Sequence, residues 1–382
     1  MDKSEQVYRD LQRYLDRLPS GFPAVESGLD IKLLKRFFTP EEAAIAVQLS
    51  MKPEPLQRIH ARIRKSGISI EELRQMLDHM MRKGTILTIE EGYQETHYCN
   101  AEFTAGGIYN FQVNRLSGEL LTDYRQYMAE RRAKARPGSG GSSPLRTIPV
   151  EQSISLPEKY RVGDYDNVRK LIENARGQIA VTDCICRQST ELLGGKCSKT
   201  DLLEACLLIG PDHARRHVEM GIGRYISKEE AFDILSKAQQ AGLVLQPENS
   251  QRPEAICVCC GDCCVFLKML KNHPKPVEMY ITNFYAEVDR TLCTGCEECV
   301  SKCQLDARVM KDGIAEVNLD RCIGCGNCVV ICPAGANKMV KKEPEKVPFK
   351  DKAAYNMKNL ARKVGTWNMV KIRTKMLLGM KV

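Results

Sequence analysis

The sequence has no uninterrupted apolar run of membrane length and opens with no basic, then apolar leader. A membrane-crossing helix and a secretory address are therefore not expected. It also lacks a dinucleotide fingerprint, a P-loop, a nucleophile triad signature and a haem-attachment motif, so the chemistries that those motifs carry have no footing here. Nor is there a broad excess of basic charge. Of a chain total of +9, residues 338–382 hold 13 Lys or Arg against 3 Asp or Glu, which leaves the rest at −1. The body is neutral, and a nucleic-acid partner is not expected.

What is abundant is cysteine, 18 in 382 residues. So many thiols without a leader place the chain in a reducing cytoplasm. Eight of them form two runs of one design. Cys293, Cys296 and Cys299 are followed after three residues by Cys303; Cys322, Cys325 and Cys328 are followed by Cys332 and Pro333. Three thiolates on a tight loop reach three corners of an iron–sulfur cube, while the fourth points away along the helix that follows, so each run lends its last cysteine to the other cube. Zinc takes two-plus-two ligand sets across a longer spacer, and disulfides do not explain two identical runs. Gly295, Gly324 and Gly326 suit loops that wrap closely round a cube.

The paired runs resemble the two-cluster bacterial ferredoxins. The resemblance implies that Cys293, Cys296, Cys299 and Cys332 hold one [4Fe–4S] cluster, and that Cys322, Cys325, Cys328 and Cys303 hold a second. At Gln304 the first run departs from the pattern, since it lacks the proline; no ligand is lost. Exposed clusters oxidise easily, which points to an anaerobic host.

The length suggests several domains, and the reading is an α+β multidomain chain. Residues 1–136 form a helical, winged-helix-like domain. Helices are expected over 4–18, from Thr39 to Ser50, from Pro55 to Lys65 and from Ser69 to Gly84, with capping boxes at Thr39–Glu42 and Ser69–Glu72. A hairpin over 86–103 follows, then a helix over 109–135 that either docks the wing or pairs two subunits in a homodimer. Helices followed by a hairpin resemble the winged-helix domains of bacterial regulators. The helix that would enter DNA carries Glu71, Glu72 and Asp78 against Arg74, Arg82 and Lys83, and this balance supplies little phosphate affinity. His97 and Cys99 at the wing are not expected to be ligands.

Residues 137–145, around Pro137–Pro144, read as a flexible linker. Residues 146–284 read as a cysteine-rich α/β domain. It starts with a strand over 146–156 and a helix over 165–175, and a strand over 178–183 runs into Cys184, Ile185, Cys186 and Arg187. Cys197 follows two glycines, and Cys206 is expected within a helix over 200–209. A third capping box at Ser227–Glu230 starts a helix that ends before Gly242. A strand over 255–264 runs into Cys257, Cys259, Cys260, Cys263 and Cys264. Alternate strand positions share a face, so two such strands side by side would gather six or more thiols. Burying them for packing alone is uneconomical, since Val or Ala packs as well. The field of Cys184, Cys186, Cys197, Cys206, Cys257, Cys259, Cys260, Cys263 and Cys264 is thus the candidate third site, for a further iron–sulfur cluster, with zinc as the alternative. One mixed cluster or two remain open from spacing. Arg187 either offsets cluster charge or faces solvent. His213 and His217, with Arg215 and Arg216 between them, are expected on a solvated helix face.

Residues 285–340 form the ferredoxin domain. Residues 341–382 form a tail, with a charged linker over 341–348 and then a basic amphipathic helix or helix pair. The tail is expected to pack on the ferredoxin domain; its functional reading is a dock for an acidic redox partner or a peripheral membrane contact. The arrangement as a whole looks like the 4Fe–4S dicluster proteins of anaerobic bacteria and archaea, which implies redox work. The leading expectation is an electron-transfer protein serving a partner oxidoreductase. The alternatives are an oxidoreductase with its site in the Cys184–Cys264 field, where Cys264 is the surplus thiol, and an iron–sulfur redox-sensing winged-helix regulator.

Overall fold

The computed structural model describes residues 3–104, 106–134, 142–151, 164–378 and 380–381. Most of the expected linker, residues 137–141, lies outside these, as do residues 152–156 of the strand expected after it. The chain divides into two compact units. One holds residues 1–141, 215–223 and 356–382; the other holds 142–214 and 224–355.

The first unit contains helices α1 (Lys3–Arg17), α2 (Leu29–Phe37), α3 (Pro40–Gln48), α4 (Leu56–Ile63), α5 (Ile70–Arg82) and α6 (Gly118–Lys134). Thr39 and Ser69 close reciprocal capping boxes with Glu42 and Glu72, as their spacing requires. Strands β1 (Glu54–Pro55), β2 (Ile86–Ile89) and β3 (His97–Asn100) form an antiparallel sheet in the order β1-β3-β2. Phe22 packs on the rings of Phe103 and Tyr127, and Leu11, Leu33 and Leu34 are fully buried. The helix expected from 109 starts only at Gly118. Asn114 takes a left-handed backbone, which no helix continues through, and Ser117 supplies the new N-terminal cap to Leu120.

The second unit is built on a five-stranded sheet. Its strands are β4 (Ile179–Asp183), β5 (Glu204–Leu208), β6 (Gly223–Ile226), β7 (Val244–Pro247) and β8 (Ala255–Cys259), in the order β6-β4-β5-β8-β7. This corrects the expectation for Cys206, which lies on strand β5 and not in a helix. A short apolar run is ambiguous by periodicity alone, and pairing with β4 on one side and β8 on the other decides it. It also corrects the expected neighbours, since β5 separates β4 from β8. Because both pair antiparallel to β5, β4 and β8 run parallel and end at one edge, where their cysteines follow. In the described part of the strand expected over 146–156, only isolated bridges form, at Arg146 and Ile148, with another at Leu145 just before it.

The remaining helices are α7 (Val168–Glu173), α8 (Ile185–Leu192), α9 (Pro211–Glu219), α10 (Lys228–Gln240), α11 (Val265–Lys271), α12 (Pro276–Met279), α13 (Glu298–Ser301) and α14 (Asn327–Val330). At α10 only half of the expected box forms: Ser227 caps Glu230, whose carboxylate turns to Arg224 instead. One face of the sheet, through Ile179, Val181, Leu207, Ile256 and Val258, packs on Leu171, Ile172, Ile234 and Ala238 from α7 and α10. By strand alternation the other face carries Cys206, Cys257 and Cys259.

That second face meets α11 and the ferredoxin-like segment. Cys259, Cys264, Leu267, Leu270 and Tyr280 share a core with Leu305 and Ile323, and Cys257 and Cys325 pack against it. The boundary expected at 284/285 therefore falls inside a continuous core. Strands β9 (Phe284–Val288) and β12 (Asn337–Lys341) pair antiparallel, as do β10 (Arg308–Lys311) and β11 (Ile314–Val317).

The tail forms a helix pair, α15 (Lys352–Val364) and α16 (Thr366–Leu377). From residue 356 on, it clusters with the N-terminal helices and not with the ferredoxin segment. Lys363 reaches the Asp16 carboxylate, 3.6 Å away, at the end of α1, which explains the difference. Trp367, Val370, Leu377 and Leu378 stay exposed.

Candidate metal centres

The two cysteine runs fold as near copies. Glu297 and Gly326 each take a left-handed backbone and open the short helices α13 and α14. Gly295 and Gly324 are also left-handed, and a methyl group on either would meet a carbonyl oxygen, that of Gly313 at 2.5 Å or of Phe284 at 2.3 Å. The loops thus need glycine for shape and for close approach.

Cys293, Cys296, Cys299 and Cys332 line one cavity. Cys303, Cys322, Cys325 and Cys328 line the other. Each contains three neighbours from one run and the last cysteine of the other. Backbone N–H groups point at the sulfurs: Ala315 donates to Cys293 at 3.5 Å, Ala336 to Cys332 at 3.3 Å and Ala307 to Cys303 at 3.2 Å. Arg308 is buried, donates from Nη2 to Cys328 Sγ at 2.8 Å, and has an Nη1 without a protein partner. A buried guanidinium with a spare donor, on a wall of four thiols, fits a polyanionic iron–sulfur group. Burial pushes the Cys328 thiol up to about 11 against the pull of Arg308, and it raises Cys325 well above the usual range. At Cys332 burial acts the same way, but the N–H groups of Ala336 and Asn337 outweigh it and hold the thiol below its ordinary value. Cys296 is exposed, whereas Cys322 is buried, so the first cavity is the one nearer solvent.

The segment is bolted to the sheet by two side chains. Gln304 donates to the Gly242 carbonyl at 2.9 Å and accepts from the Gly261 N–H at 2.7 Å; Asn327 donates to the same carbonyl at 2.7 Å. The residue that breaks the ferredoxin pattern, Gln304 next to Cys303, is thus the one that holds Gly261, next to Cys260, by a hydrogen bond.

The nine cysteines of the second field separate into two groups. In the first, the thiol contacts run from Cys184 to Cys186, Cys186 to Cys264, Cys264 to Cys259, Cys259 to Cys257 and Cys257 to Cys206. Cys184 and Cys264 stand at the N-terminal ends of α8 and α11, so two helix N-termini adjoin this group. Donation from Cys206 and Cys259 holds Cys257 well below the usual thiol range, and donation from Cys186 and Cys259 does so for Cys264. Tyr280, buried and hydrogen-bonded to Gln246 on β7, lies close enough for these thiolates to help hold its hydroxyl protonated, after burial itself. Neither residue carries a sequence signal, because both arrive from distant segments.

The second group is Cys197, Cys260, Cys263 and Asp262, whose ligand atoms all lie within 4.8 Å of one another. Arg187 is 5% exposed, so it does not face solvent; it donates to the carbonyls of Leu202 and Val258 and lies against Cys260 and Cys184. His213 and His217 are also buried, at 4% and 0% exposed, contrary to the expected solvated face. His213 lies near Glu254 and His217 packs on the Phe111 ring. His97 stacks on Tyr93 and Cys99 is buried; neither joins a ligand group among the described residues.

A family model for a 4Fe-4S dicluster domain matches residues 286–333, about an eighth of the chain. That segment is therefore a ferredoxin-type domain and the chain binds iron–sulfur clusters. No curated protein and no solved structure matches the chain. Among the described residues no helix is long and apolar enough to cross a membrane.

Proposed function

We propose that this protein conducts single electrons. They enter at the exposed cluster of Cys293, Cys296, Cys299 and Cys332, pass to the cluster of Cys303, Cys322, Cys325 and Cys328, and continue to a third cluster held within the group of Cys184, Cys186, Cys206, Cys257, Cys259 and Cys264. The observation that carries the reading is the shared core on the second face of the sheet. Cys325 of the second quartet and Cys257 both pack against the one core that contains Cys259 and Cys264. Electron transfer weakens steeply with distance, so adjacent centres across a rigid, dry contact are what a conduit needs. Six thiols strung along successive contacts, no three of them gathered as closely as the ligands of one ion, can place alternate members on different irons of a polynuclear centre. The two helix N-termini and Arg187 favour its negative charge.

The physiological donor or acceptor is a partner oxidoreductase. The solvent-exposed Cys296 at the first cluster marks where it docks. The body of the chain carries no basic surplus for nucleic acid.

Iron and acid-labile sulfide analysis of anaerobically purified protein tests the count. The reading expects about twelve of each per chain, and about eight in the double variant Cys257→Ser/Cys259→Ser. About eight in the unmodified protein would remove the third cluster.

A further inference from the structure

We infer that Cys197, Cys260, Asp262 and Cys263 form a separate, closed tetrahedral site for one zinc ion. It goes beyond the conduit, because it assigns a redox-silent metal to thiols that the sequence groups with the cluster ligands.

The geometry separates mononuclear from polynuclear binding. Two thiolates on one zinc ion, each about 2.3 Å from it, stand about 3.8 Å apart; a thiolate and a carboxylate oxygen stand about 3.5 Å apart. Here Cys197 Sγ lies 3.6 Å from Cys260 Sγ and 3.6 Å from Asp262 Oδ1. Thiolates on a cube bind different irons and must stand further apart. The two ferredoxin quartets satisfy that, since among the described residues only the Cys197 group brings three or more Cys, His, Asp or Glu ligand atoms within 4.8 Å of one another.

The ligands are oriented from behind. Asp262 Oδ2 accepts from the Ser198 N–H at 2.6 Å and its hydroxyl at 3.0 Å, which turns Oδ1 towards the thiols. Cys260 and Cys263 have the two-residue spacing of a zinc knuckle, and their turn is fixed by the Gly261 N–H on Gln304. Cys260 and Cys263 belong to the core on the α7 and α10 face of the sheet, whereas Cys257, Cys259 and Cys264 occupy the opposite side. Three thiolates and a carboxylate leave a charge of −2 on the occupied site, and the buried Arg187 guanidinium beside Cys260 offsets part of it. With four protein ligands no position is open for substrate, so the ion is structural. It staples the loop after α8, which carries Cys197, to the end of β8.

Zinc outcompetes ferrous iron for such a set in the order of divalent affinities. Metal analysis of protein purified without air from zinc-replete medium should give one zinc per chain beside the iron. Zinc-edge X-ray absorption should resolve three sulfurs at about 2.3 Å and one oxygen at about 2.0–2.2 Å. Cys197→Ala should lower zinc at least tenfold while iron and the visible spectrum stay unchanged, and Asp262→Asn should speed zinc loss to a chelator at least tenfold. Zinc at background in the unmodified protein overturns the inference, as does a zinc shell without sulfur, or iron in place of zinc at this site. If Cys197→Ala fails to fold, the absorption edge of the unmodified protein still decides. Twelve irons with no zinc would sink this site alone and leave the conduit standing.

Discussion

At Gly324 a methyl group would lie 2.3 Å from the Phe284 carbonyl oxygen, on a backbone with φ of +64°. Gly324→Ala therefore combines a clash with a left-handed alanine, which alone costs about 1–2 kcal/mol. The loop must open, and the variant is expected to lose about four irons per chain, the content of the second cluster. Full iron retention would show that the loop tolerates the change. Arg308 makes a different contribution. Its charged hydrogen bond to Cys328 strengthens as the cluster gains an electron. Such bonds contribute roughly 1.5–3 kcal/mol, and if about half of this appears only on reduction, Arg308→Met lowers the midpoint of that cluster by roughly 30–60 mV. A redox titration followed by electron paramagnetic resonance (EPR) measures it, and an unchanged midpoint would remove Arg308 from the tuning of the cluster.

Between elements, Gln304 and Asn327 converge on the carbonyl of Gly242 and tie the ferredoxin segment to the sheet. Gln304→Ala leaves the Gly261 N–H without its acceptor in a buried place, at a cost of roughly 1–3 kcal/mol. Denaturant unfolding of the cluster-loaded protein should show that loss as a lower midpoint at constant slope. What the sequence disclosed at this scale was local. The cysteine runs, the capping boxes at Thr39 and Ser69, and the strands leading to Cys184 and Cys257 all rest on neighbours within a few residues. What it concealed was long-range. Strand β5 reads as helical because its partners β4 and β8 are not its neighbours in sequence, and the nine-cysteine field splits because Cys257 and Cys260 pack on opposite sides of one sheet. Gln304 read as a missing proline until its partners, Gly242 and Gly261, were in place. His213 and His217 read as solvated, and Arg187 as either a charge offset or a surface residue, because nothing in their neighbourhood announces what covers them.

For the molecule as a whole, the two units differ in what holds them together. The first has an ordinary core of Leu11, Leu33, Leu34, Phe22 and Phe103; the second packs its ferredoxin segment around cysteines, with Cys303, Cys322 and Cys328 inside a small core with Phe284 and Met339. Stripping iron with a chelator without air should therefore abolish amide protection over residues 284–341 first and leave residues 3–134 protected. Equal loss in both would mean that metal supports the whole chain. The conduit itself is tested most directly by EPR of the fully reduced protein. Neighbouring paramagnetic clusters split and broaden each other's signals, so the reduced spectrum should contain an interaction beyond that within the ferredoxin pair. That interaction should vanish in Cys257→Ser/Cys259→Ser, while the ferredoxin signals persist. A reduced spectrum identical in the two proteins would contradict an electron path from the ferredoxin segment into the sheet.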